Sequence, residues 1–427
     1  MTKILFASSA MALACSAAIA QQSPPPSVTI YGIVDAGWVH TTGVTNKNQL
    51  VSGIMEGSRF GLRGNEDIGG GYRAIFTLEN RTELNNGAIS NRPQSGLQLP
   101  DRFAFADLLV PALCPAQPCA IQSTVTAVNN SLAAGGLGVN LPNRFWDRQA
   151  YVGLVTPFGA ILAGRQYTPA YEVTATFDAL GTQSSLSAGQ VASFPASTEI
   201  RVSNALQYRI VLGGLTASAM YSLGDPNTVV GNSKANRFGG AMAMYRAGGF
   251  AVGVGYNQRN NDIGQESLKS TAVGASAQIG PGTLSGLYAS FKDDNPGPGL
   301  STLGATLMAG GAPQAVATTL QNAYIAALRQ DGKLMHVGYK MPIGMHTLYF
   351  AYSTFDDKRS FDADTSSYGA AFTYALSNRT DINAVLAHFD SKNLAQAAPG
   401  QAGFLGGFTT SAGTDSNSFA LGVRHRL

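Results

Sequence analysis

The chain has 427 residues, 28 basic and 25 acidic side chains, a formal net charge of +3, and 12% charged against 44% hydrophobic residues. The charged share is about half that of an ordinary soluble domain; the ordinary hydrophobic content excludes a disordered chain, and the scatter of Lys and Arg excludes a nucleic-acid footprint. No apolar run of about 18 residues follows the first 20, so a bundle of membrane-spanning helices is excluded as well.

Residues 1–20 form a separate object. Lys3 is followed by the apolar run ILFASSAMALA at 4–14 and by Ala18-Ile19-Ala20. A positive end, a short apolar stretch and an A-x-A site predict a cleaved export signal, with the mature chain, residues 21–427, forming one domain.

From residue 28 onward the chain is written in period two. In FAVGVGYN, Phe250, Val252, Val254 and Tyr256 share one face, and Ala251, Gly253, Gly255 and Asn257 the other. LTASAMYS at 215–222 and YGAAFTYAL at 368–376 alternate in the same way. Alternation of this kind predicts strands with one greasy and one small or polar side. Sixteen such segments are predicted, near 28–39, 57–63, 72–81, 146–155, 160–167, 201–210, 215–224, 237–245, 250–258, 268–278, 283–292, 332–340, 346–356, 366–375, 382–390 and 417–427. Each runs to about ten residues, enough for a tilted strand to cross a bilayer.

The segments pair across Gly-, Pro- and Asn-rich turns such as GNEDIGGG (64–71), TPFG (156–159) and IGPG (279–282), residue types that supply the backbone angles tight hairpins need. Long connections alternate with these turns, the longest at 82–145, 168–200, 293–331 and 391–416. Short turns at one rim and long loops at the other are the layout of a transmembrane barrel. Strands can cross lipid only if the sheet closes and leaves no backbone group unpaired. A soluble β-sandwich would need cores rich in Val, Ile and Leu, whereas the second face here carries Gly, Ala, Ser, Thr, Arg and Asn, as a wet lumen would. The last segment fits: Phe419, Leu421, Val423, His425 and Leu427 share one parity, and Arg424 and Arg426 the other. The fold expected is therefore all-β, a 16-stranded antiparallel transmembrane barrel with both ends of the mature chain on the short-turn side.

Cys114 and Cys119 stand in CPAQPC, inside the 82–145 connection. An exported chain meets an oxidising compartment, so a local disulfide is expected. The spacing would also suit half of a zinc site, but no second half accompanies it.

VTIYGIVDAG (28–37), SRFGLRGNEDIGGGYRAIFTLEN (58–80), DRQAYVGLVTPFGAILAGRQY (147–167) and GVRHRL (422–427) resemble the general-diffusion porins of proteobacterial outer membranes. The resemblance implies a homotrimeric outer-membrane channel for passive diffusion of small hydrophilic solutes, narrowed by a third long loop folded inward. It implies contact with outer-membrane lipid and lipopolysaccharide, and delivery to the barrel-assembly machinery through the C-terminal strand. The sequence departs from the family at Leu427, where an aromatic residue is usual, and in the great length of the 82–145 loop.

In that family wall arginines face an acidic inward loop. Carried over, the constriction consists of Arg59, Arg148 and Arg201, with Glu79 on the wall, Arg165 where the third loop departs, and Asp178 in FDALG on the loop itself. Alternation independently places Arg59 and Arg63 opposite Phe60 and Leu62, and Arg73, Thr77, Glu79 and Arg81 opposite Ala74, Phe76 and Leu78. Arg148 shares parity with Val152 and Leu154, yet a lipid-facing Arg costs about 2–4 kcal/mol, so it is assigned to the lumen. The 168–200 loop carries only Glu172, Asp178 and Glu199 and no Lys or Arg. Several arginines against few loop acids lean the pore toward small anions.

No G-x-S-x-G, H-E-x-x-H, phosphate-loop or EF-hand pattern occurs, so no enzyme, cofactor or metal is expected. An adhesin or surface-recognition barrel, or a barrel enzyme with scattered catalytic groups, are the competing readings.

Overall fold

The structure, a computed structural model, describes residues 27–87, 145–181, 184–192, 199–224, 233–296, 303–309, 311, 313–399, 407 and 409–427. The export signal at 1–20 and the pair Cys114 and Cys119 lie outside the described residues.

Strands β1 (Ser27–Thr41), β2 (Asn48–Ser52), β3 (Arg59–Gly69), β4 (Tyr72–Arg81), β5 (Gln149–Thr156), β6 (Gly159–Tyr167), β7 (Arg201–Leu212), β8 (Leu215–Ser222) and β9 (Phe238–Ala247) make the first half of the wall. β10 (Phe250–Asn260), β11 (Glu266–Ile279), β12 (Gly282–Asp293), β13 (Gln330–Ile343), β14 (His346–Asp357), β15 (Thr365–Ala375), β16 (Thr380–Ser391) and β17 (Ser416–Arg426) complete it. Neighbours pair antiparallel, and β17 returns to β1 from Ile33 opposite Arg426 to Thr41 opposite Ser418. That last pairing closes the sheet, so among the described residues the wall has no free edge.

Among the described residues seventeen strands make sixteen wall positions, because β2 and β3 share one. β1 pairs with β3 from Ser27 to Ile33 and with β2 from Ala36 to His40. The break between them, residues 53–58, is held by Asp35. Its Oδ1 accepts from the Ile54 backbone N–H at 2.9 Å, and its Oδ2 from Met55 at 2.9 Å and Glu56 at 2.8 Å. One buried carboxylate thereby satisfies three donors that the broken ladder orphans. Alternation missed β2 because it is only five residues long and runs straight into this irregular segment.

The β3–β4 turn needs three successive residues with positive φ, Gly69, Gly70 and Gly71 at 89°, 62° and 82°, which only glycine adopts without steric cost. Outside, Val152, Leu154, Ile161, Leu206, Tyr208 and Leu386 are exposed; inside, Gln207, Ser218, Ser285, Ser353, Ser367 and Asn383 are buried. This inverted polarity, apolar outward and polar inward, is what a lipid-embedded barrel requires. Among the described residues, no helix is long and apolar enough to cross a membrane.

The connection after β6 folds into the lumen. Helix α1 (Pro169–Phe177) lies against β8 to β12 on the inner wall. The glycines of the inward faces make room for it. A Cβ on Gly274 would overlap the ring of Phe177, one on Gly253 would come within 2.9 Å of it, and one on Gly255 within 2.8 Å of Ala170. Asn257 fixes the helix start: its Oδ1 accepts from the Ala170 N–H at 3.0 Å and its Nδ2 donates to Thr168 Oγ1 at 2.9 Å. The small residues expected to border water on β10 and β11 are therefore, in part, a seat for the inner helix. The connection after β12 holds α2 (Leu303–Ala309) and α3 (Gln314–Leu328), packed on each other through a hydrogen bond from Gly304 N–H to Gln321 Oε1 at 2.6 Å.

Candidate functional site

Buried Glu79 and Arg148 meet half-buried Tyr31 and Arg59 on the inner wall at the start of the β4–β5 pairing. Glu79 projects inward from β4. Arg148 Nε donates to its Oε1 at 2.7 Å, Tyr31 Oη donates to its Oε2 at 3.1 Å, and Arg59 Nε stands 3.7 Å from Oε2. Arg59 also binds Glu56 Oε1 through Nη2 at 3.0 Å.

Arg148 and Arg201 converge on Tyr167. Its hydroxyl oxygen accepts from Arg148 Nη2 at 2.9 Å and from Arg201 Nη2 at 3.1 Å. The Arg201 guanidinium also lies 4.6 Å from the centre of the Tyr167 ring, a cation–π distance. Tyr171 of α1 stacks on Tyr167 with ring centres 5.3 Å apart, which joins the arginine wall to the inner helix. Arg148 Nη1 and Arg201 Nε are buried without a hydrogen-bond partner among the described residues.

The structure brings together Arg59, Glu79, Arg148 and Arg201 of the six residues expected at the constriction. Arg148 turns inward despite its apparent parity because it precedes β5, which starts at Gln149, so the alternation of that strand does not govern it. Arg165 stands apart: it pairs opposite Ala150, on the parity of exposed Val152 and Leu154, and donates to the Asp147 carbonyl at 2.6 Å and Ser203 Oγ at 3.0 Å. A bulge explains the local loss of parity, with Gly164 opposite Ala205 but Gln166 opposite Val202, and Asn204 at φ 54°.

Asp178 does not line the passage. Its carboxylate is wholly enclosed and organises the loop, accepting from Leu180 N–H and Ala188 N–H at 2.9 Å each. Next to it, Ala179 N–H donates to His336 Nε2 at 3.2 Å, and His336 Nδ1 bonds Ser353 Oγ at 2.9 Å, so the imidazole is a neutral anchor for the loop. The other two loop acids are also engaged. Glu172 pairs with Arg209 of β7 at 2.8 Å, and Glu199 pairs with Arg259 of β10.

A second network lies beside the first. Arg424 and Arg426 of β17 both bind Glu56 Oε2, at 3.1 and 3.2 Å, and Asp381 Oδ2, at 3.0 and 2.9 Å. Both arginines thus clamp the 53–58 segment to the C-terminal strand. Beyond the end of β4, burial pushes the Glu83 carboxyl above the usual carboxylate range, with Arg81 opposing that shift.

Sequence reasoning missed Tyr31, Glu56 and Tyr167. Tyr31 and Asp35 share the parity opposite Val28 and Ile30, a signal alternation could have used. Glu56 sits in the broken segment and Tyr167 beyond the bulge, where no periodic signal exists.

A sequence profile described as Gram-negative porin matches residues 7–394. Outer membrane porin protein 32 of Delftia acidovorans is 23% identical over 435 residues, covering 98% of this chain and 99% of the relative. Among solved structures, the anion-selective porin from Comamonas acidovorans superposes with a TM-score of 0.64 at 21% identity, over 94% of this chain and all, 100%, of that one. The trimer form of OmpT, an outer membrane protein of Vibrio cholerae, superposes with a TM-score of 0.57 at 13% identity, over 95% of this chain and 100% of that one. At these identities both superpositions speak to the fold.

Proposed function

Because the chain belongs to the Gram-negative porin family and forms an outer-membrane porin channel, we propose that this channel prefers small anions and that Arg59, Arg148 and Arg201 set the preference. The observation that carries this reading is charge balance along the inner wall. Arg59 and Arg148 pair with Glu79 and Arg201 joins Arg148 at Tyr167, while all three acids of the inward loop are engaged elsewhere: Glu172 by Arg209, Glu199 by Arg259 and Asp178 by backbone N–H groups. Glu56, a nearby acid, is shared among Arg59, Arg424 and Arg426.

Arginine stays charged at any working pH, so the cluster keeps its sign. A ring of fixed charge sets ion preference through its local field, and salt screens that field. A guanidinium offers donors and no acceptor, so the cluster suits an oxyanion or halide better than a cation. The name of the Comamonas acidovorans porin, anion-selective, agrees with this reading.

Family and fold point to a channel rather than an enzyme. Cleavage after Ala20 and assembly as a homotrimer belong to the same proposal, the latter supported by the trimer form of the OmpT structure. So do contact with lipopolysaccharide and lipid along the exposed apolar wall, and recognition by the assembly machinery through β17.

The test is a planar-bilayer recording under a potassium chloride gradient. The expected reversal potential shows chloride passing more readily than potassium, more strongly at about 0.1 M than at about 1 M salt, as screening requires. Replacing Arg59 and Arg201 with Ser together should weaken or reverse the preference. Cation preference in the unaltered protein at low salt would overturn the reading.

A further inference from the structure

One group of donors on the barrel lies away from the lumen. His388 and Asp390 point outward from the end of β16, on the parity of exposed Leu386, and Asp415 stands just before β17. One donor atom from each of the three lies within 4.8 Å of the others.

Each of these side chains is held by its far atom. His388 Nδ1 bonds the Asn417 amide oxygen at 2.7 Å, Asp390 Oδ2 accepts from Ser366 Oγ at 3.2 Å, and Asp415 Oδ1 accepts from the Ser391 backbone N–H at 2.9 Å. An amide oxygen can only accept, so Nδ1 carries the proton. Nε2 then presents its second position to Asp390 Oδ1, 3.0 Å away. Either a proton on Nε2 or a metal cation satisfies both atoms, so a metal that binds here takes the place of that proton. Tyr368 packs its ring against His388 with centres 5.0 Å apart and limits the swing of the imidazole. A histidine whose other nitrogen donates to an oxygen, beside carboxylates anchored through their spare oxygens, is the outer-shell arrangement that orients metal ligands.

We propose that His388 Nε2, Asp390 Oδ1 and Asp415 Oδ2 bind a divalent transition cation of the Zn²⁺ class. One imidazole and two carboxylates suit zinc better than magnesium or calcium, which take oxygen donors. Tetrahedral zinc at roughly 2.1 Å sets its ligands about 3.4 Å apart, so the His388–Asp390 pair opens slightly while exposed Asp415 closes on the ion. The fourth position opens to solvent or to a surface phosphate. Asp390 and Asp415 flank the connection between β16 and β17, so the bound ion ties together the two ends of that connection.

The experiment titrates Zn²⁺ into the untagged, folded protein in detergent and follows heat release, with a zinc-dependent change in proteolytic cleavage between residues 391 and 415 as a second readout. One saturable site per chain is expected, with weakening of roughly tenfold or more in both His388→Asn and Asp415→Asn. A His40→Asn control should bind as the parent does. Absence of saturable binding, or equal binding in the His388 and Asp415 variants, overturns the proposal. Magnesium competing at equal concentration overturns its metal class. Conductance is read in parallel, because a failure here with the pore intact leaves the channel reading standing.

Discussion

Nε of Arg148 donates to Oε1 of Glu79 at 2.7 Å, and both side chains are buried. The carboxylate also receives Tyr31 and faces Arg59, so one negative charge holds two guanidiniums and a phenol in place. Removing one partner of a buried pair leaves the other uncompensated, at a cost of about 3–5 kcal/mol.

Glu79→Gln therefore has two expected effects. Thermal unfolding of the folded barrel shifts down, because Arg148 keeps an amide oxygen in place of a charged acceptor. Anion preference rises, because Arg59 and Arg148 lose the negative charge of Glu79. Reversal potentials and unfolding of the same preparation check both, and an unchanged reversal potential would show that Glu79 lies outside the field felt by permeating ions.

Tyr167→Phe separates the phenol oxygen from the ring. That oxygen occupies one donor from Arg148 and one from Arg201, while the ring holds Arg201 by its face and Tyr171 by stacking. Phenylalanine keeps the stack and frees both donors for a passing anion. Chloride conductance should then saturate at lower salt than in the parent, since ions dwell longer where more donors face them. A conductance-against-salt curve superimposable on that of the parent would sink this assignment.

What the sequence could announce follows from where periodicity survives. Arg59 and Glu79 were legible because β3 and β4 alternate without interruption, so a charged residue opposite Phe60 or Leu78 must look inward. Arg148 was legible only through the cost of a charge in lipid, because it stands one residue before β5. Tyr167 was silent because the bulge against β7 resets parity just before it. Asp178 misled for a different reason: spacing cannot show that a carboxylate is consumed by the N–H groups of Leu180 and Ala188. Small residues on β10 and β11 suit a water-filled lumen by type alone, and only their juxtaposition with Phe177 shows that they seat a helix.

Asp35→Ala tests the break between β2 and β3. The carboxylate satisfies the N–H groups of Ile54, Met55 and Glu56, and each buried donor left unpaired costs about 1–3 kcal/mol. The expected result is faster hydrogen exchange at residues 53–58 and a lower unfolding temperature. Because Glu56 would lose its position, the clamp to Arg424 and Arg426 should loosen too, and exchange near the end of β17 should quicken. Protection unchanged at both places would mean that the segment is held by its other contacts.

Gly274→Ala tests how the inner helix governs flow. The added methyl would occupy space held by the Phe177 side chain, and the neighbouring Gly253 leaves that ring no slack on the β10 side. Overpacking of this kind typically costs about 1–3 kcal/mol, and the less constrained partner moves. The wall is fixed by hydrogen bonds on both sides of β11, whereas α1 is attached through Asn257, Arg209 and the His336 contact. The helix should therefore shift away from β11 and into the passage. Single-channel conductance should fall while the arginine cluster, carried by other strands, keeps its anion preference. Phe177→Ala in the same background removes the obstructing ring and should restore conductance at least in part. If Gly274→Ala folds normally and conducts as the parent does, α1 does not border the ion path.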